Sequence, residues 1–216
     1  MIDEYRISAA NIPSWAREWT FDSYPGNSVG LEAVKAWAVD DHTVAPGLCL
    51  WGPPGRGKTG LAISALRYRI EAGDGDQFSW MVCSGPRVEK RIASNLQLRE
   101  PAPIWFERWT DLKSRLLGAR LSGGDDIMTA RSVLRELDRS TLIALDDVDQ
   151  DTLSPWKEEQ LLFLIERPLR GKRLILTLNA EIASVVDRLG ARIVDRLLDP
   201  SRFLIIHLDK GGSLRR

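Results

Sequence analysis

The chain has 216 residues, 44% of them hydrophobic and 28% charged, which suits one large domain with a sizeable core and leaves little room for a second. Lys plus Arg and Asp plus Glu both number 30, so bulk charge supplies no long-range attraction to nucleic acid, and any such contact must come from a local patch. No run approaches the roughly eighteen apolar residues of a membrane span, and the two cysteines, Cys49 and Cys83, form no CxxC pair and join no histidine cluster, which excludes a disulfide scaffold and a zinc site from the expectations.

A reducing, cytoplasmic setting is expected. Residues 1–10 mix Asp3, Glu4 and Arg6 with apolar residues and carry no signal-peptide h-region. After this polar lead-in, 1–25, which Pro13 and Pro25 break, Leu31, Val34, Trp37 and Ala38 recur at near-helical spacing and predict a helix over 28–39. Pro46 and Gly47 close that region. Leu48, Cys49, Leu50 and Trp51 form an apolar run that stops at Gly52, a buried-strand candidate. Leu61, Ala62, Ala65, Leu66 and Ile70 then follow a helical period up to Gly73, which suits a C-cap.

Residues 78–83 read as a further short strand, 104–106 as a compact apolar run and 112–121 as a helix. The four apolar residues of 142–145 end at Asp146. Ser154 and Pro155 supply an N-cap and first turn for the next helix, whose apolar face is Leu161, Leu162 and Ile165. Residues 174–178 and 203–208 are two more strands. Strands alternating with helices predict an α/β domain over 26–216: three layers around a largely parallel, five-stranded sheet. The stretch 74–103 is the least regular, and its length marks it as functional or mobile. His42 and His207 read as loop and strand residues without catalytic duty, and the eight tryptophans as packing residues.

Chemistry concentrates at two places. Gly52-Pro53-Pro54-Gly55-Arg56-Gly57-Lys58-Thr59 satisfies GxxxxGK[ST] between an apolar strand and a helix, the context that the phosphate-binding loop requires. The glycines let successive backbone N–H groups face the phosphates of ATP, and the helix N-terminus adds a favourable dipole. Lys58 is expected to reach the β and γ phosphates, and Thr59 to offer its hydroxyl to Mg²⁺. The second place is Leu142-Ile143-Ala144-Leu145-Asp146-Asp147, a Walker B pattern. There Asp146 is the metal-holding candidate and Asp147 the one that orients or deprotonates the attacking water.

With these motifs the chain resembles the AAA+ ATPases of the bacterial helicase-loader type, DnaC-like and IstB-like. The resemblance covers most of the chain. It begins at Thr20-Phe21-Asp22 and includes residues 156–166, similar to the helix after Walker B, and Leu176-Thr177-Leu178-Asn179, whose last residue matches the sensor 1 position. It implies that Asn179 holds the attacking water or the γ-phosphate. Arg192-Ile193-Val194-Asp195-Arg196-Leu197-Leu198 resembles the arginine-finger box, with Arg196 the first candidate and Arg192 the second. A finger acts on a neighbouring subunit, so the resemblance implies a homo-oligomer. Ser213-Leu214-Arg215 is similar to the family's closing Ser-Tyr-Arg and makes Arg215 a sensor 2 candidate, although Leu214 replaces the aromatic.

The resemblance implies a replicative helicase or a transposase as partner, and DNA as a possible one, through helicase loading or transposition. Arg87, Lys90, Arg91 and Arg99, near Trp80, are a candidate phosphate-contacting set, but Glu89 and Glu100 offset part of their charge, which favours a solvated segment. Two other functions are compatible with the same loop: a module that ATP switches with little turnover, since Asp147 stands where many AAA+ proteins have Glu, and a small-molecule kinase.

Overall fold

The computed structural model describes residues 4–26, 28–39, 45–73, 103–121 and 130–208. The strand candidate at 78–83, Cys83, His42, Arg215 and the basic set within 74–102 lie outside the described residues.

Five strands, β1 (Gly47–Trp51), β2 (Ile104–Arg108), β3 (Leu142–Asp146), β4 (Arg173–Leu178) and β5 (Phe203–His207), form one sheet in the order β2-β3-β4-β1-β5. Every pairing is parallel. Parallel strands are covered on both faces, which is why β1, β3 and β4 read as mainly apolar runs rather than alternating ones.

Connection handedness sorts the helices into layers. From β1 the chain crosses to the far edge at β2 through α3 (Lys58–Glu71), while every later crossover runs the other way along the sheet. Right-handed crossovers therefore place α3 on one face and the later helices on the other. Among the described residues the other α-helices, in chain order, are α1 (Glu4–Ala9), α2 (Ser28–Val39), α4 (Trp109–Leu121), α5 (Ala130–Leu137), α6 (Pro155–Ile165), α7 (Val186–Leu189) and α8 (Ala191–Leu197). Both α1 and α2 pack beside α3, and α5 joins α4 to α6. The three-layer architecture read from the sequence is the observed one.

The helix over 28–39 has the expected bounds, and Val34, Trp37 and Ala38 are fully buried. Ser154 occupies the N-cap of α6 with extended backbone, but its side chain makes no capping bond. The lead-in 1–25 contributes Ile7, Ala10, Ile12, Ala16 and Phe21 to the same core as the sheet. It also reaches the sheet edge: the Phe106 N–H donates to the Ala10 carbonyl at 2.9 Å, and the Asn11 amide donates to the Phe106 carbonyl at 2.8 Å. Cys49 is buried in β1, where desolvation, with Asp149 behind it, pushes its thiol far above the ordinary range and leaves it unreactive. No helix among the described residues is long and apolar enough to cross a membrane.

Candidate functional site

In an all-parallel sheet the carboxyl ends of the strands share one edge, so residues far apart in sequence converge there. β1 ends in the glycine loop, β2 in Arg108, β3 in Asp146 and β4 just before Asn179. Together they line a cleft of about 290 Å³ with Gly55, Gly57, Lys58, Thr59 and Asp147.

The loop needs its glycines. Gly52, Gly55 and Gly57 have φ of 147°, 82° and 79°, a region that side chains rarely enter. A Cβ on Gly52 would lie 2.5 Å from the Leu208 carbonyl oxygen, so the loop starts flush against the chain leaving β5. Gly57 is the left-handed N-cap of α3, which turns the first N–H groups of that helix toward the cleft. Lys58 is 5% exposed and donates to the carbonyls of Gly52 at 2.8 Å and Pro53 at 3.0 Å, so its ammonium lies within the curl of the loop. Arg56 contributes backbone: its carbonyl accepts the Tyr24 hydroxyl at 3.0 Å, and burial raises that phenol to about 12.

The Thr59 hydroxyl lies 2.9 and 3.1 Å from the two carboxylate oxygens of Asp146. Thr177, on the neighbouring strand, donates to Asp146 Oδ1 at 2.7 Å and accepts the Asp147 N–H at 2.8 Å. Asp146 is nearly fully buried; desolvation first, and then the Asp147 carboxylate, raise its pKa against the pull of Thr177, Thr59 and Arg108. Such a carboxylate favours a cation beside it. A hydroxyl and a carboxylate side by side are hard oxygen donors of the kind Mg²⁺ takes, and the glycine loop beside them suits its phosphates, so the residues fit a metal–nucleotide pair.

Asp147 has φ of 56°, a left-handed conformation that Asp tolerates better than most residues. Its side chain is held on both oxygens, by the Asn179 amide and the Gln150 amide, each at 2.9 Å. The next carboxylate, Asp149, is 1% exposed and accepts the backbone N–H groups of Asn179 and Ala180 at 2.9 to 3.0 Å. Thus Asp149 fixes the end of β4, which carries Asn179, against the turn after β3. Neither Thr177 nor Asp149 is singled out by the motifs.

The structure brings Lys58, Thr59, Asp146, Asp147 and Asn179 into one cleft. Arg196 is elsewhere, on α8, where it donates to Asp195 at 2.6 Å and stands 4.0 Å from Glu166 of α6. Arg192, one turn earlier, is exposed. Another cavity, about 240 Å³, adjoins the first and shares Trp19, Gly57 and Gly60 with it; Tyr24 and Pro25 are also in its wall, with Thr20, Ser23 and Ser64.

The strand order, the glycine loop and the carboxylate at the end of β3 define a P-loop α/β fold, one that solved helicase loaders share. The DnaC helicase loader superposes with a TM-score of 0.61 at 22% identity, covering 90% of this chain and 99% of that one. DnaI superposes with a TM-score of 0.60 at 15% identity, covering 94% of each chain. AMPPCP-bound DnaA from Aquifex aeolicus gives 0.66 at 15% identity over 91% of this chain and 52% of its own, so the chain spans about half the length of that relative. No family model and no curated protein matches the sequence. At these identities the likeness establishes the fold.

Proposed function

We propose that the chain binds Mg-ATP in the cleft at the carboxyl edge of its sheet and hydrolyses it to drive assembly on DNA or on a DNA-processing partner. The observation that carries this reading is the Thr59 hydroxyl 2.9 Å from Asp146, beside a glycine loop that holds the Lys58 ammonium. Backbone N–H groups of residues 55–59 bind the phosphates, and Lys58 exchanges its loop carbonyls for phosphate oxygens. The adenine rests in the adjoining cavity against Tyr24, Pro25 and Trp19. Thr59 and Asp146 hold Mg²⁺, which when bound neutralises phosphate charge. Asp147 orients the attacking water and accepts its proton, and Asn179 keeps Asp147 in position.

Arg196 then serves as the finger toward a neighbouring subunit, with Arg192 as second candidate and Arg215 as sensor 2. The assembly is a cytoplasmic homo-oligomer, and its partners are a replicative helicase or a transposase, with DNA. An Asp147→Asn variant tests the catalytic assignment. Nucleotide affinity stays close to that of the natural chain, whereas phosphate release falls by about a hundredfold or more, the usual worth of a positioned base. Equal rates of release from both proteins would contradict it.

One observation favours a slower machine. Both oxygens of Asp147 already accept amide hydrogen bonds, from Asn179 and from Gln150, so an attacking water has to compete with them for the carboxylate. In that second reading ATP acts mainly as a switch, and tight binding accompanies turnover too slow to follow.

A further inference from the structure

Arg108 belongs to none of the motifs, yet the sheet delivers it to the phosphate end. It closes β2 in register with Asp146, and its side chain lines the cleft with Lys58, Thr59, Asp147 and Asn179. Strand alternation turns its neighbour Glu107 to the opposite face, where Arg115 engages that carboxylate at 2.7 and 2.9 Å. Arg108 instead lies over the ring of Trp15, 5.8 Å from the centroid, and Trp15 stands edge-on to Trp19 at 5.0 Å.

Arginines with a structural role look different in this chain. Arg167 is fully buried and spends its guanidinium on Asp138 and on the carbonyls of Leu137 and Ser140. Among the described residues Arg108 makes no ion pair, although its charge is felt by Asp146, and the residue is exposed where it lines the cleft. A weak cation–π contact locates such a head without neutralising it.

We propose that Arg108 is a phosphate-sensing cation supplied in cis: its guanidinium contacts the γ-phosphate of the nucleotide bound to its own chain and meets the charge that develops there during hydrolysis. This inference rests on the ATP reading above. In the step concerned, the water oxygen forms a bond to the γ-phosphorus while the bond from that phosphorus to the β–γ bridging oxygen breaks. ADP keeps the electron pair, and the water proton passes to Asp147. Arg108 exchanges no proton; its planar fork stays charged and binds two phosphate oxygens at once, which Lys cannot do. A chain so equipped carries out basal hydrolysis alone, and a neighbour's finger adds to that rate.

The test compares the natural chain with Arg108→Ala, Arg108→Lys and Lys58→Ala, using fluorescent ATP and ADP analogues for affinity and single-turnover hydrolysis for rate. Arg108 is exposed, so its removal leaves the fold intact, which circular dichroism checks. Loss of a charge-assisted contact predicts ATP bound about ten- to a hundredfold more weakly by Arg108→Ala, with ADP affinity unchanged within about twofold. Hydrolysis falls about a hundredfold or more, and Arg108→Lys does not restore it. Mixing Arg108→Ala chains with Lys58→Ala chains restores nothing if the contact is in cis. Restored activity in that mixture, or an ATP-to-ADP preference unchanged by Arg108→Ala, overturns the inference while leaving ATP binding standing. A natural chain that takes up neither nucleotide overturns both.

Discussion

Thr177 anchors both aspartates with a single hydroxyl, which donates to the Asp146 carboxylate and accepts the backbone N–H of Asp147. Valine has nearly the same shape and neither function. Thr177→Val leaves a partly buried N–H without its acceptor and a buried carboxylate with one donor fewer, at a cost of about 1–3 kcal/mol. Urea denaturation should show the midpoint falling by a corresponding amount, and Mg²⁺-dependent nucleotide binding should weaken; unchanged stability would mean that the hydroxyl is dispensable. The sequence shows the phosphate loop and the paired aspartates because their spacing is local. Thr177 and Asp149 act across neighbouring strands, 31 positions for the first bond and 30 for the second, so no local pattern exposes them.

At the scale of elements, what was legible followed burial. β1, β3 and β4 are covered on both faces and show as apolar runs, and α2 shows through Val34, Trp37 and Ala38. The short helices escaped. α1 has 6 residues and α5 has 8, each too brief to establish a period, although Val133, Leu134 and Leu137 give α5 a buried side. β2 ends in Glu107 and Arg108, which hides its last two residues from a search for apolar runs, and α4 follows without a loop. Glu107 ties these two elements together: it is 3% exposed, and it accepts from Trp105 at 3.0 Å and from Arg115. Burial is the largest influence and raises its pKa above the ordinary 4.5, with Arg115 and Trp105 pulling the other way. Folding therefore shifts Glu107 toward the neutral acid relative to the unfolded chain, and the stability that it contributes is full below its ordinary pKa and lost as pH rises through the higher folded value. Glu107→Gln, which mimics the neutral form, should unfold at higher urea than the natural chain at pH 7, with the gap closing as pH falls toward 4. A variant equally destabilised at both values would show that the ion pair to Arg115 outweighs burial.

Over the whole molecule, one topological fact gathers the site: four strands run the same way and end together, so the loop, the cations and the carboxylates meet at one edge. Arg196 is outside this convergence, one-third exposed on α8 beside Glu166, and under the proposed function it would serve the nucleotide of a neighbouring subunit. With Mg²⁺ and a slowly hydrolysed ATP analogue, light scattering should register an oligomer. Arg196→Ala should keep single-chain ATP affinity while losing about a thousandfold of the assembled turnover, the lower end of what arginine fingers supply. A particle that stays monomeric with and without DNA would remove the assembly from the account.

The most direct test is isothermal titration of ATP and Mg²⁺ into the natural chain and into Lys58→Ala. Saturable uptake of one nucleotide per chain is predicted for the first, and at least about a tenfold loss of affinity for the second, because one charge-assisted contact is worth about 1.5–3 kcal/mol. No heat of binding from the folded natural chain, or identical curves for the two, would contradict the account at its foundation.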